Sequence, residues 1–221
     1  MVRSINRGFT LLEVILACAM LGLLTLAIFR AFNYGATAFK KATSRQDSQA
    51  ALRSVYGILR DDLRKSHFRT ISTVERSTLV EDEPYRRDGL CLASLKDWSA
   101  EGSFDDINGL PKWDRYLLYY GTLEGLLVRT TLDHDRPDYS PAPFPDLDED
   151  RYLREAPESN TGYQTSHRVM SADLLEFRSE LDPARDMVDI RCLLKHKSGR
   201  RNEINLTVYP QNTWPKGENR S

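Results

Sequence analysis

Residues 8–29 read Gly8-Phe9-Thr10-Leu11-Leu12-Glu13-Val14-Ile15-Leu16-Ala17-Cys18-Ala19-Met20-Leu21-Gly22-Leu23-Leu24-Thr25-Leu26-Ala27-Ile28-Phe29. From Phe9 to Phe29 only Thr10, Glu13 and Thr25 interrupt an otherwise apolar run. At 1.5 Å per residue a helix of that length spans roughly 30 Å, the hydrocarbon thickness of a bilayer. One membrane-crossing helix is therefore expected over residues 9–30. Arg3 and Arg7 precede it with no acidic residue among residues 1–8. The positive-inside rule then puts the N-terminus in the cytoplasm and the bulk of the chain outside it, although Arg30, Lys40 and Lys41 on the far side reduce the contrast.

Glu13 separates this segment from simpler export signals. Ala17-Cys18-Ala19 offers an A-x-A cleavage pattern, and Ile15-Leu16-Ala17-Cys18 a lipoprotein-like one. Both leave a carboxylate inside the would-be apolar region and a continuing apolar run beyond the cut. A carboxylate at this depth is tolerable only where an opposite charge meets it. The residues around it, Gly8-Phe9-Thr10-Leu11-Leu12-Glu13 after a short basic leader, resemble the processing motif of the type IV pilin and type II secretion pseudopilin superfamily. The resemblance implies that a prepilin peptidase and methyltransferase of the inner membrane cuts between Gly8 and Phe9 and methylates Phe9. It also implies that Glu13 is an assembly residue, pairing with the N-terminal amine of a neighbouring subunit. Residues 1–8 would then be a cytoplasmic leader, absent from the mature protein.

The rest of the chain is of globular composition. With 221 residues there is room for one moderate domain beside the helix. Lys+Arg 31 against Asp+Glu 32 gives a formal charge of −1, so nucleic acid is not an expected partner. Mean hydropathy of −0.51 excludes a polytopic membrane protein. Leu52, Val55, Tyr56, Leu59 and Leu63 recur at i, i+3, i+4, i+7 and i+11, an amphipathic stripe. The helix is expected to continue through residues 31–68 as an amphipathic half packed on a sheet, with weak points at Gly22, Gly35 and Gly57.

Strands are expected to fill residues 69–209. Arg115–Tyr120 and Leu126–Leu132 flank a five-residue loop as a hairpin. Val188–Leu194 and Ile204–Val208 alternate as half-buried strands, Leu174–Leu181 is a further one, and Thr70–Val80 and Leu90–Leu95 are weaker. Residues 210–221 read as an irregular tail. The fold class is α+β: a long N-terminal helix on an antiparallel sheet. This strand order resembles the J-type minor pseudopilin and related minor pilins, a resemblance of pattern and not of diagnostic residues.

An insertion at residues 133–158 holds nine acidic residues against Arg136, Arg151 and Arg154, with five prolines, and reads as a loop. Asp146, Asp148 and Asp150 stand at positions 1, 3 and 5 of an EF-hand-like pattern, but Arg151 and Pro157 replace its glycine and glutamate. A solvated acidic loop is the better reading. A less regular calcium site using these carboxylates, or Asp133, Asp135 and Asp138, is the alternative, and no other cofactor is implied. The nucleophile-elbow, P-loop, zincin, dinucleotide and C-x-x-C motifs are all missing from the sequence, so no enzyme is expected. His67, His134, His167 and His196 fall in expected loops or helix ends as solvated residues. Cys91 and Cys192 could form one disulfide or remain buried thiols. Arg191, Lys195, Lys197, Arg200 and Arg201 form a basic run expected to be a solvated hairpin end.

Two functions from different classes follow. One is a structural subunit, a minor pseudopilin or pilin that joins other such subunits through its N-terminal helix and initiates or caps a periplasm-spanning filament. The other is a membrane-displayed binding module, a pilus-tip adhesin or DNA-uptake minor pilin. A membrane-anchored periplasmic enzyme is a weaker third.

Overall fold

The computed structural model describes residues 10–107, 109–138, 142–144, 166–195, 199 and 201–211. They divide into two units, Met1–Asp47 and Ser48–Ser221. Helix α1, Leu11–Lys65, begins in the first and ends in the second. Gly22, Gly35 and Gly57 do not interrupt it.

In the first unit the described helical side chains are exposed all round. The stretch Leu11–Thr43 reaches a mean hydropathy of 2.5, and none of that window is buried. A core helix of this hydropathy would be covered by its own domain, so this stretch is suited to a non-aqueous surrounding. Phe32, Tyr34 and Phe39 are exposed, and burial begins at Ala51 and Leu52. Asn33, Thr37, Lys40, Lys41, Arg45 and Gln46 break any continuous apolar stripe before that point.

In the second unit the helix ends two residues after the stripe is complete. The backbone N–H and hydroxyl of Ser66 both donate to the Leu63 carbonyl, at 3.2 and 2.7 Å, closing the last turn. His67 then caps a 3-10 turn, Phe68–Thr70, its Nδ1 accepting from the Arg69 N–H at 3.0 Å. Ten strands follow among the described residues: β1 Ser72–Val74, β2 Ser77–Val80, β3 Glu83–Arg86, β4 Gly89–Ser94, β5 Trp113–Gly121, β6 Leu127–Asp138, β7 Ser166–Ser171, β8 Leu174–Asp182, β9 Met187–Lys195 and β10 Arg201–Val208.

The single expected sheet is three antiparallel sheets, ordered β1-β4-β5-β6-β7, β10-β9-β8 and β2-β3. The hairpin β5–β6 turns over Thr122–Leu126, where Thr122 donates to the Leu126 carbonyl and Gly125 takes a left-handed φ of 89°. Strand β6 runs on to Asp138, so residues 133–138 of the expected acidic loop are strand, held because Trp113 and Arg115 of β5 pair with Asp138 and Asp133 across a register shift. Strands β3 and β7 were not expected. Glu83-Pro84-Tyr85-Arg86 and the polar start of β7 lack the apolar alternation that marks a strand from sequence.

The five-stranded sheet is buried on both faces. One face presents Leu90, Leu92, Leu117, Tyr119 and Leu127 to Val55, Leu59 and Leu63 of α1 and to Phe177, Val188 and Ile190 of the three-stranded sheet. The other presents Cys91, Ala93, Tyr116, Leu118, Tyr120 and Val128 to a second cluster with Trp113, against which Trp98 and Phe144 pack. Trp98 meets Trp113 edge-on at 6.5 Å, and Phe144, from within the insertion, meets Tyr116 edge-on at 5.0 Å. Burial on both faces explains the unbroken apolar runs of β4 and β5.

Two polar clamps lock this arrangement. The Arg87 guanidinium, 4% exposed, donates to the carbonyls of Thr122, Leu123, Leu174 and Leu175, tying the β5–β6 turn to β8. Gly121 lies against it so closely that a Cβ there would come within 2.9 Å of the Arg87 Cβ. Asp62 of α1 accepts from Arg129 Nε of β6 at 2.8 Å and from the Tyr119 hydroxyl, fixing the helix to the sheet through charge as well as burial.

A fragment from about Asn33 onward keeps the Leu52–Leu63 stripe and every strand, and is expected to be a soluble, cooperatively unfolding α+β domain; aggregation on removal of the apolar segment would refute this. Within it, Leu59→Ala should cost about 2–5 kcal/mol in urea unfolding, whereas Phe39→Ala should leave the midpoint unchanged. His67 supplies a pH test. Its burial, with the nearby Arg69 charge, holds the imidazole below its ordinary pKa, and Asp186 opposes this in part. The native state therefore binds fewer protons at His67 than the unfolded chain once the pH falls below the unfolded value of about 6.5. Stability should be constant with respect to this group above that pH and decline below it until the folded pKa is passed. His67→Asn should flatten this part of the profile.

Candidate functional site

The first turn of α1 is built by a reciprocal pair. Thr10 is the last residue before the helix, and its backbone N–H and hydroxyl donate to Glu13 Oε2 at 3.0 and 3.1 Å. The Glu13 N–H points back to the Thr10 hydroxyl oxygen at 3.3 Å. This is a capping box, Thr-x-x-Glu, in which each side chain satisfies a backbone donor that the helix start would leave open. The negative carboxylate also stands at the positive end of the helix dipole. Sequence reasoning singled out Glu13 for its charge and missed Thr10, although the Thr10-Leu11-Leu12-Glu13 spacing is itself the signal.

Glu13 is the sole charged residue between Leu11 and Phe29. Its neighbours Leu12, Val14 and Leu16 are exposed. The arrangement is thus one carboxylate, oriented by its own cap, on an apolar and uncovered helical surface. Transfer of that surface into a non-aqueous environment leaves the carboxylate two stabilising partners: the Thr10 donors it already has, and a cation brought from elsewhere. Gly8 and Phe9 lie outside the described residues.

The remaining candidates from the sequence are not brought together. Cys91 and Cys192 are both free and buried, the first in the cluster with Trp113 and the second in the core that α1 joins. They point to different faces of the five-stranded sheet, so the bridge the sequence allowed is not formed. Burial pushes both thiols up, Cys192 to about 12. Asp146, Asp148 and Asp150 lie outside the described residues. Asp133 pairs with Lys96 at 3.0 Å, and no group of three or more potential metal ligands exists among the described residues. His67 is buried as a cap instead of solvated, and His134 and His167 lie on strands β6 and β7.

The basic run at the β9–β10 end is largely compensated. Arg191 pairs with Glu176 and Glu203, Lys195 with Glu81, and Arg201 with Glu83. A run that reads as purely basic along the chain is a mixed surface in space, because its carboxylates come from other strands and from the β2–β3 turn. Lys197 and Arg200 lie outside the described residues.

Comparison with known proteins agrees with the N-terminal reading and is confined to it. The prokaryotic N-terminal methylation motif matches residues 3–29. No curated protein and no solved structure matches the chain. Leu11–Thr43 is compatible with a single-pass membrane anchor. The chain thus carries, at residues 3–29, the N-terminal methylation motif of type IV pilin-like prepilins.

Proposed function

We propose that this chain is a minor pseudopilin or minor pilin, a structural subunit that helps initiate or cap a periplasm-spanning filament of a type II secretion or type IV pilus system. The observation that carries the reading is Glu13: a single carboxylate, held by Thr10 in the first turn of an exposed apolar helix, within residues that match the methylation motif. Cleavage between Gly8 and Phe9 creates an amine next to Thr10. In an apolar medium the methylated Phe9 amine of one subunit and the Glu13 carboxylate of the next are each other's natural counter-charge. The partners are other pseudopilins or minor pilins, joined through residues 9–30, and the prepilin peptidase that prepares them. The N-terminus lies in the cytoplasm, the helix crosses the inner membrane, and the strand domain is periplasmic.

A role as a minor subunit suits a domain enlarged by the 95–112 loop and the 133–158 insertion, which would be bulky if repeated along a filament. The J-type assignment is a finer proposal and rests on strand order alone: the β5–β6 hairpin, then β8, then β9 and β10 closing the domain. The adhesin or DNA-uptake reading draws less support, since Arg191, Lys195 and Arg201 are each engaged by carboxylates.

N-terminal sequencing of membrane-extracted protein should begin at methylated Phe9; a start near Cys18 or Met20 would overturn the reading. At equal membrane abundance, Glu13→Ala should abolish co-purification with partner pseudopilins and reduce secretion or piliation, while processing at Gly8 and folding of the strand domain continue. Glu13→Gln should be nearly as damaging, because it retains the shape and the capping acceptor but not the charge. Undiminished association in both variants would separate the leader, which would stand, from the assembly mechanism, which would not.

A further inference from the structure

The last turns of α1 and the edge strand β10 enclose a surface that the assembly helix does not use. Tyr56, Arg60 and Arg64 of the helix face Leu206, Tyr209 and Gln211 across a groove of about 460 Å³. Leu206 is 6% exposed, whereas Tyr209 is 61% exposed, and the lining is more polar than apolar. Among the described residues neither the Arg60 nor the Arg64 guanidinium has an ion-pair or hydrogen-bond partner, in contrast to Arg86, Arg129 and Arg191, which all pair with carboxylates. Arg53, seven residues before Arg60, continues the same helical face. Between them Gly57 has nothing within 4 Å of where a Cβ would be, so the helix backbone is open to close approach there. Strand β10 is an edge of its sheet, with β9 its sole strand partner among the described residues.

Unpaired guanidiniums on one wall and a strand edge on the other match a segment bearing carboxylates. The chain itself contains such a sequence: residues 145–158, with six acidic residues against Arg151 and Arg154, including Asp146-Leu147-Asp148-Glu149-Asp150. We propose that the groove formed by Arg60, Arg64 and β10 receives the acidic segment of a second copy of this chain. The inference rests on the reading of the chain as a filament subunit and adds that at least two copies stand next to one another, held by a polar contact outside the membrane.

The test is self-association of the full-length protein in neutral detergent, followed by sedimentation over a range of concentration and salt. Wild type should associate in a concentration-dependent and salt-sensitive manner. Arg60→Glu/Arg64→Glu should weaken this about tenfold or more by placing like charges together, and Asp146→Lys/Asp148→Lys/Asp150→Lys should do the same. Mixing the two variants should restore association, because the reversed groove of one then meets the reversed segment of the other. Circular dichroism should be unchanged in both, since neither guanidinium has an ion-pair or hydrogen-bond partner among the described residues.

Failure of the mixture to recover, association insensitive to both reversals, or a monomeric wild type would each overturn the proposal. So would a salt-sensitive change that does not depend on concentration, which would place the segment in the groove of its own chain. If the Arg60→Glu/Arg64→Glu variant keeps self-association but loses binding to phosphatidylglycerol vesicles, the groove takes lipid headgroups and the proposal fails in that direction. Glu13→Ala should leave the groove contact intact. Loss of association in Glu13→Ala, with both charge reversals silent, would reject this inference while leaving the assembly role of Glu13 standing.

Discussion

Three side chains, Val55, Leu59 and Leu63, fix where the helix stops being an anchor and becomes part of a domain. All are 2% exposed or less, and with the partly buried Leu52 and Tyr56 they form the helical wall of a core to which strands from two separate sheets contribute. Neither sheet can close this core alone. The three-stranded sheet is polar on its outer face, where Arg178, Glu180, Arg191 and Glu203 pair, and needs a partner for Phe177, Val188 and Ile190. The five-stranded sheet needs one for Leu90, Leu117 and Tyr119. The short stripe on α1 meets both requirements at once, and Asp62 with Arg129 adds a directional contact that burial alone lacks.

The division of the chain also decides which physical rules apply where. In the first unit the described side chains of the helix are exposed, so its apolar residues and its single carboxylate are governed by the surrounding medium. In the second unit the usual logic of a water-soluble interior takes over: buried Asp88 is answered by Arg86 and the Ser179 N–H, and Arg87 by four carbonyls. The Thr10–Glu13 cap is a small case of the first regime. It keeps the carboxylate partly satisfied within its own chain.

Much of this was legible in the residues, and what was missed has a consistent cause. The apolar run, the Glu13 oddity, the Leu52–Leu63 stripe and the alternating strands β8, β9 and β10 are signals local in sequence. The second core was not legible, because Trp98, Trp113 and Phe144 are scattered over three segments and meet across space. The Arg87 cage was hidden for the same reason: its acceptors are backbone carbonyls, which have no signature in side-chain sequence. The charge compensation of the basic run at residues 191–201 was hidden for the same reason, since Glu81, Glu83 and Glu176 come from the β2–β3 turn and from other strands. Strand β3 contains a proline and β7 starts polar, and neither carries the period-2 pattern that reading depends on.

The two buried thiols make the folded domain indifferent to its redox surroundings. Cys91 and Cys192 face opposite sides of the five-stranded sheet, each in an apolar cluster that excludes water and disfavours the thiolate. An oxidising compartment therefore has neither a pair to bridge nor an accessible nucleophile to modify while the strand domain stays closed. Any alkylation of these positions has to pass through an opening that breaks one cluster or the other. Because the clusters lie on different faces, the two cysteines act as independent clocks, one for separation of the helix and the three-stranded sheet, the other for release of the aromatic cover over Tyr116.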